Sequence, residues 1–194
     1  MKRILLSGAS GFIGSITLDL FSNHYKDVEI FALYCNNKPI IFKENIEPIK
    51  IDLRFKSDYK RLPLKYDSVV HLAGNKKTFL NDKLALDQFN DNLMITKLLA
   101  ENALKAKCEN FIFASSVYVY SGASTPPFVE DYFQLPNEHL GLSKLACELL
   151  LKTFSLNNHF KTLNMRIFTA YGSNSPHDQF IPSAIIIRSN SLVI

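Results

Sequence analysis

The sequence predicts an α/β fold: a doubly wound parallel sheet, covered by helices on both faces, with strand order 3-2-1-4-5-6. Three observations carry this. The N-terminal apolar run Ile4-Leu5-Leu6 ends in Ser7, and Gly8, Gly11 and Gly14 follow at the spacing G-x-x-G-x-x-G before helical periodicity begins. Short apolar runs then alternate with helical stretches, the pattern of right-handed crossovers between parallel strands. The third run contains Pro48, which cannot donate a ladder hydrogen bond and suits a sheet edge, where this order puts the third strand.

Composition agrees with one globular domain over residues 1–194. Hydrophobic residues make up 47% and charged residues 21%, with a mean hydropathy of +0.01. That supplies a core, and no apolar run approaches the roughly 18 residues of a membrane span. The chain starts on a strand rather than a signal peptide. Cys35, Cys108 and Cys147 show no metal-ligand spacing, so reduced thiols in a cytoplasm are expected. The lysines behind a net charge of +4 are scattered, which suits an anionic cofactor or substrate at least as well as nucleic acid. No nucleic-acid-binding motif is found, and neither nucleic acid nor membrane is an expected partner.

Residues 4–7 do not alternate and read as a strand buried on both faces. Gly8 would permit a tight turn, Gly11 would let the backbone approach a phosphate, and Gly14 would let a helix over 11–22 pack close to the sheet. A pyrophosphate would then face the free amides of that helix's N-terminus, so Ser10, Phe12 and Ile13 join the glycines as candidate binding residues. The second strand is 28–34. The acid that usually follows it and holds an adenosine ribose is missing from Tyr34-Cys35-Asn36-Asn37-Lys38. Asn36 could bond a ribose, and Lys38 could meet a 2′-phosphate or point into solvent, so NAD and NADP both stay open.

The third strand, 46–51, is followed by Asp52-Leu53, where a carboxylate could reach an adenine amino group or cap a turn. The fourth, 68–72, runs into His71-Leu72-Ala73-Gly74, whose small residues suit a chain passing a cofactor at the switch point. His71 reads as a structural histidine, and Lys76 and Lys77 either flank the cleft or are solvated. Helices are expected at 81–89 and 92–107, the second with an apolar stripe of Leu93, Leu98, Leu99, Ala103 and Leu104. A fifth strand at 111–115 leads into Ser116 and Tyr118. A helix over 138–157, a sixth strand over 162–168 and a last helix over 180–190 complete the order.

Together these residues resemble the extended short-chain dehydrogenase/reductase family, the NAD-dependent epimerases and dehydratases of nucleotide sugars. The resemblance rests on the three glycines, Asp52-Leu53, His71-Leu72-Ala73-Gly74, Asn92 opening a long helix, and Phe113-Ala114-Ser115-Ser116. It continues through Val119-Tyr120, Gly141-Leu142-Ser143-Lys144 and Arg166-Ile167-Phe168 followed by Tyr171-Gly172. It implies a Rossmann-type NAD(P)-binding domain with the glycine loop, Asp52, Leu53, Leu72, Ala73, Gly74, Asn92 and Lys144 at the cofactor, and a nucleotide sugar as small-molecule partner. In such enzymes hydride leaves a sugar carbon while a phenolate, its pKa lowered by a lysine, takes the hydroxyl proton beside a serine. Ser116 and Lys144 match that serine and lysine.

The family tyrosine belongs four residues before Lys144, one turn away on the same helix face. That residue is Leu140, which cannot donate, accept or ionise. His139 points about 100° away from it, Tyr118 reads as a packing aromatic, and Tyr34 with Lys38 falls in the wrong loop. Thr169 stands where the family commonly has asparagine. The resemblance also implies a longer chain, with 173–194 read as the start of a truncated substrate region. The expected function is therefore an NAD(P)-binding protein of epimerase/dehydratase type with impaired catalysis. An active epimerase, dehydratase or reductase with a substitute acid/base is one alternative, and a non-catalytic subunit is another. A homodimer through the helices at 92–107 and 138–157 is expected.

Overall fold

The first strand, buried on both faces at its C-terminal end, sets up two cores. In the computed structural model, which describes residues 2–41, 43–76, 82–122, 126–157, 159–172, 175 and 181, strand β1 (Lys2–Ser7) begins exposed and ends with Leu5, Leu6 and Ser7 fully buried. Successive side chains point to opposite faces. Leu5 accordingly joins a cluster with Phe31, Leu33, Val69, Phe111 and Phe113, whereas Leu6 joins one with Ile30, Ala32, Val70 and Leu18.

The remaining strands among the described residues are β2 (Val28–Tyr34), β3 (Ile46–Lys50), β4 (Ser68–His71), β5 (Asn110–Ser116) and β6 (Lys161–Ile167). They form one sheet in the order β3-β2-β1-β4-β5-β6, with every pair parallel. Pro48 sits on the edge strand β3, beside Ala32. Helix α1 (Phe12–His24) covers the Leu6 face through Leu18 and Phe21. Helices α2 (Asp82–Lys105) and α3 (His139–Leu156) cover the other face, burying Leu98, Leu99, Ala103, Cys147 and Leu151. Each such leucine contributes about 1.5–3 kcal/mol by leaving water.

Three expectations are corrected. The two helices expected at 81–89 and 92–107 are the single 24-residue α2, because neither Gly nor Pro interrupts the stretch. Asn92 therefore lies in mid-helix rather than opening a helix. The buried seam of α2 runs through Ala85, Gln88, Asn92, Thr96, Leu99 and Ala103, while Leu104 is 38% exposed. Polar residues occupy part of that seam because they bond the neighbouring loop and strand, so it does not read as an apolar stripe. Short 3₁₀ turns at Lys56–Arg61 and Val117–Tyr120 add to the expected elements. Of the helix expected at 180–190 only Ile181, which is helical, is described, and Lys77 lies outside the described residues. No described helix is long and apolar enough to cross a membrane.

Candidate active site

Parallel strands bring all their C-terminal ends to one edge of the sheet, and the candidate residues follow those ends. Gly8 leaves β1 with φ +71°. A Cβ there would stand 2.7 Å from the Ala73 nitrogen, so only glycine lets the turn after β1 touch the exit of β4. At Gly14 a Cβ would come 2.0 Å from the Gly8 carbonyl oxygen. The close approach it permits is thus between α1 and the glycine turn, not between α1 and the sheet as expected.

Gly11 differs. As the N-cap of α1 it has φ −76° and ψ 171°, which any residue adopts. Among the described residues its missing Cβ would meet only the Gly8 oxygen, at 3.2 Å, and otherwise looks onto open space. The first amide bonded back into α1 is that of Ser15, to the Gly11 oxygen at 2.8 Å. The amides of Phe12, Ile13 and Gly14 precede that ladder, with Ser10 exposed beside them. This surface can hold an anion.

Beside it, Ser7 grips the exit of β4. Its carbonyl accepts the Leu72 amide at 3.2 Å, and its Oγ accepts the Ala73 amide at 3.2 Å. Ser7 Oγ also meets His71 Nδ1 at 2.7 Å, and His71 Nε2 lies 3.1 Å from Thr96 Oγ1. Burial, and then the Lys144 charge, push the His71 pKa down to about 3.

Asn92 clamps the next stretch. Its Oδ1 accepts the Asn75 amide at 2.7 Å, and its Nδ2 donates to the Asn75 carbonyl and to Ser143 Oγ, each at 3.0 Å. Lys144, one residue further along α3, donates to the Ala114 carbonyl at 2.7 Å. Its ammonium lies 4.8 Å from the centre of the Phe113 ring. A Cβ on Gly74 would reach 3.4 Å from Lys144 Nζ and 3.3 Å from Asn92 Oδ1, so Gly74, Asn92 and Lys144 form one cluster. Burial brings the Lys144 ammonium down to about 8, opposed by Cys147 and Glu148.

Ser116 ends β5 and accepts the Tyr118 amide at 3.3 Å. Tyr118 is 46% exposed, while Val119 and Tyr120 are buried. The packing aromatic is therefore Tyr120, and Tyr118 is open to solvent. Leu140 lies one turn before Lys144 on α3 and is half-buried.

On the other side of the glycine loop, Asn36 and Lys38 sit in the exposed loop after β2. Of the two roles open to Asp52 beyond β3, the turn is seen: its Oδ1 accepts the Arg54 amide at 3.1 Å. It binds Arg54, taking Nε at 3.0 Å and a terminal nitrogen at 2.6 Å, and hydrogen bonding from Arg54 holds its carboxyl below the ordinary range. Arg54 also approaches Asp91 at 3.9 Å, and Leu53 is buried in the core. A second ion pair was equally unforeseen: Glu148, one turn beyond Lys144, meets Arg166 of β6 at 2.8 Å and 3.1 Å. Ser115 Oγ bonds the same carboxylate, and Arg166 reaches the Tyr120 hydroxyl and the Glu130 carbonyl. The i,i+4 spacing of Lys144 and Glu148 was a visible signal, but their partners lie on other elements.

Residues 4–191 match the NAD dependent epimerase/dehydratase family. The UDP-glucose 4-epimerase of Mycoplasma pneumoniae is 26% identical over 201 residues, covering 97% of this chain and 59% of the relative. The dTDP-D-glucose 4,6-dehydratase of Mus musculus is 28% identical over 201 residues, covering 98% of this chain and 56% of the relative. The UDP-glucuronic acid 4-epimerase of Bacillus cereus, solved in complex with NAD, superposes with a TM-score of 0.86 at 24% identity, covering 97% of this chain and 63% of that one. The chain thus spans somewhat over half the length of these relatives. With the family match running from β1 past β6, the chain belongs to the NAD dependent epimerase/dehydratase family.

Proposed function

We propose that this chain binds NAD along the C-terminal edge of β1, β4 and β5 and serves nucleotide-sugar epimerase or dehydratase chemistry, with catalysis impaired at Leu140. The observation that carries the reading is the cluster of Gly74, Asn92 and Lys144, continuous with the glycine turn through the Gly8–Ala73 contact. The residues fit the cofactor: the open space over Gly11, which a side chain would fill, adjoins the first amides of α1. With no acid after β2, NADP is the alternative dinucleotide. Residues 1–194 act as one dinucleotide domain, with 173–194 beginning the sugar-binding region.

When bound, the nicotinamide supplies a reversible hydride acceptor. Lys144 would hold a ribose hydroxyl, and the Ser116 hydroxyl would hydrogen-bond the sugar hydroxyl. Leu140 can take no proton from that hydroxyl, and general acid–base catalysis is typically worth about 10²–10⁴-fold. A second reading, an active enzyme with Tyr118 as substitute phenol, is favoured by one observation: that exposed ring follows Ser116 by two residues, with its amide held by the serine.

A homodimer is supported by Leu142, Leu149 and Leu156, exposed at seven-residue spacing on α3, and by Leu86 and Met94 on α2. Sedimentation giving a monomer at tens of micromolar would remove that part. The free thiols of Cys35, Cys108 and Cys147 support a reducing, cytoplasmic setting. The cofactor reading is tested by fluorescence titration of NADH into wild type and Gly11→Val. Wild type should bind and Gly11→Val, still folded but less stable by about 1 kcal/mol at the helix N-cap, should not. Equal binding by the two proteins overturns the cleft assignment.

A further inference from the structure

We propose that His71 is a positioning residue: neutral and protonated on Nε2, it joins Ala73 to Asn92 through a one-way chain of hydrogen bonds and so sets the shape of the loop 72–75. The direction of the chain follows from the donors and acceptors present. The Asn92 carbonyl can only accept, and it takes the Thr96 hydroxyl at 2.9 Å. With its one proton committed, Thr96 Oγ1 accepts from His71 Nε2 at 3.1 Å, so Nε2 carries hydrogen. Nδ1 of the neutral ring is then bare and accepts the Ser7 hydroxyl at 2.7 Å. Ser7 Oγ in turn accepts the Ala73 amide at 3.2 Å.

Every donor and acceptor in the chain acts in its allowed sense, and the Asn92 carbonyl also takes the Cys147 thiol at 3.5 Å. A doubly protonated ring would reverse the Ser7 bond and leave the serine proton without an acceptor. Ser7, His71, Asn92 and Thr96 are all 3% exposed or less, so water cannot repair such a fault without opening the core. The nearby charge, Lys144, also disfavours a second positive charge on the ring.

The functional consequence rests on the proposed cofactor reading, because the amide held at one end belongs to Ala73. At the other end, the Asn92 whose carbonyl takes the chain clamps Asn75 and Ser143, beside Lys144. The two halves of the imidazole can be separated. His71→Asn keeps an acceptor near Nδ1 for Ser7 and loses the bond to Thr96. His71→Gln keeps a donor near Nε2 for Thr96 and loses the acceptor for Ser7.

Two measurements test this. The ring nitrogens of isotope-labelled wild type, with the His71 signal identified by its loss in His71→Asn, should show a bare Nδ1 and a protonated Nε2 unchanged from mildly acid to mildly alkaline pH. An Nδ1–H tautomer, or titration in that range, overturns the chain whether or not the protein binds a dinucleotide. In NADH titrations, His71→Asn and His71→Gln each break the chain at one end, and each should weaken binding about tenfold. Ser7→Ala, which removes the hydroxyl with little change of shape, should match His71→Gln. Wild type binding NADH with all three variants unchanged overturns the positioning role, whereas wild type failing to bind overturns the cofactor reading and leaves the tautomer result to decide the chain.

Discussion

Replacing Leu140 by tyrosine should create a phenol that ionises well below its ordinary value of about 10. Side chains four apart on a helix are neighbours, roughly 5–6 Å between Cβ atoms. Unit charges about 5 Å apart at an effective dielectric of about 20 attract by about 3.3 kcal/mol, equivalent to about 2.4 pKa units. That brings the phenol to about 8, the value to which burial brings Lys144. The two groups should therefore titrate as a coupled pair, with one proton leaving near pH 8 and the next at about 10.5. The helix tolerates the change, since Tyr and Leu differ by a few tenths of a kcal/mol in propensity and residue 140 is half-buried.

The assay is a phenolate absorbance titration of Leu140→Tyr against wild type, with and without saturating NAD. Tyr59 and Tyr66 do not interfere, because burial pushes both upward. Bound NAD should lower the new phenol further, as another nearby positive charge favours the phenolate. Adding Lys144→Met should return it toward about 10. A new phenol that keeps its ordinary pKa in all conditions would show that Leu140 and Lys144 do not present their side chains to one another, and the comparison with the family triad would fail.

Arg166→Met should destabilise the fold by about 3–5 kcal/mol in urea unfolding, because it leaves the Glu148 carboxylate, 5% exposed, without its cation. Adding Glu148→Leu should recover more than half of that loss, and a single variant costing under about 1 kcal/mol would refute a buried pair. Arg54 depresses the Asp52 pKa, so this pair stabilises above the unfolded carboxyl value and the contribution is lost as pH falls through the depressed folded value. In Arg54→Ala the Asp52 carboxyl, followed by NMR, should titrate closer to its ordinary value, and acid unfolding should begin at a higher pH; an unmoved carboxyl would contradict the assignment.

Much of the fold was legible because its signals are local. The non-alternating run at Leu5 and Leu6 announces a strand between two helical layers, and each leucine does enter a different core. Pro48 marked the edge because a missing amide is a property of the residue itself. Gly8 was readable for a similar reason, since its positive φ excludes side chains wherever the turn occurs. The absence of a phenol before Lys144 needed only helical spacing.

What only the tertiary structure decided is how polar groups far apart in the chain are shared. The polar residues of α2 broke the apolar stripe and suggested a helix start at Asn92. They belong to one buried seam because Asn75, Ser143 and His71 arrive there from other elements. Asp52 could have met a ligand or capped a turn until Arg54 folded back on it, and Tyr118 looked like packing until Tyr120 took that place. Gly14 reads as a helix–sheet contact, yet the atom it must admit is the oxygen of Gly8. Hydrophobic periodicity is written residue by residue, because burial acts on each side chain separately. A hydrogen bond needs both partners in place, so its partner across 64 residues, as for Ser7 and His71, exists only once the chain has folded.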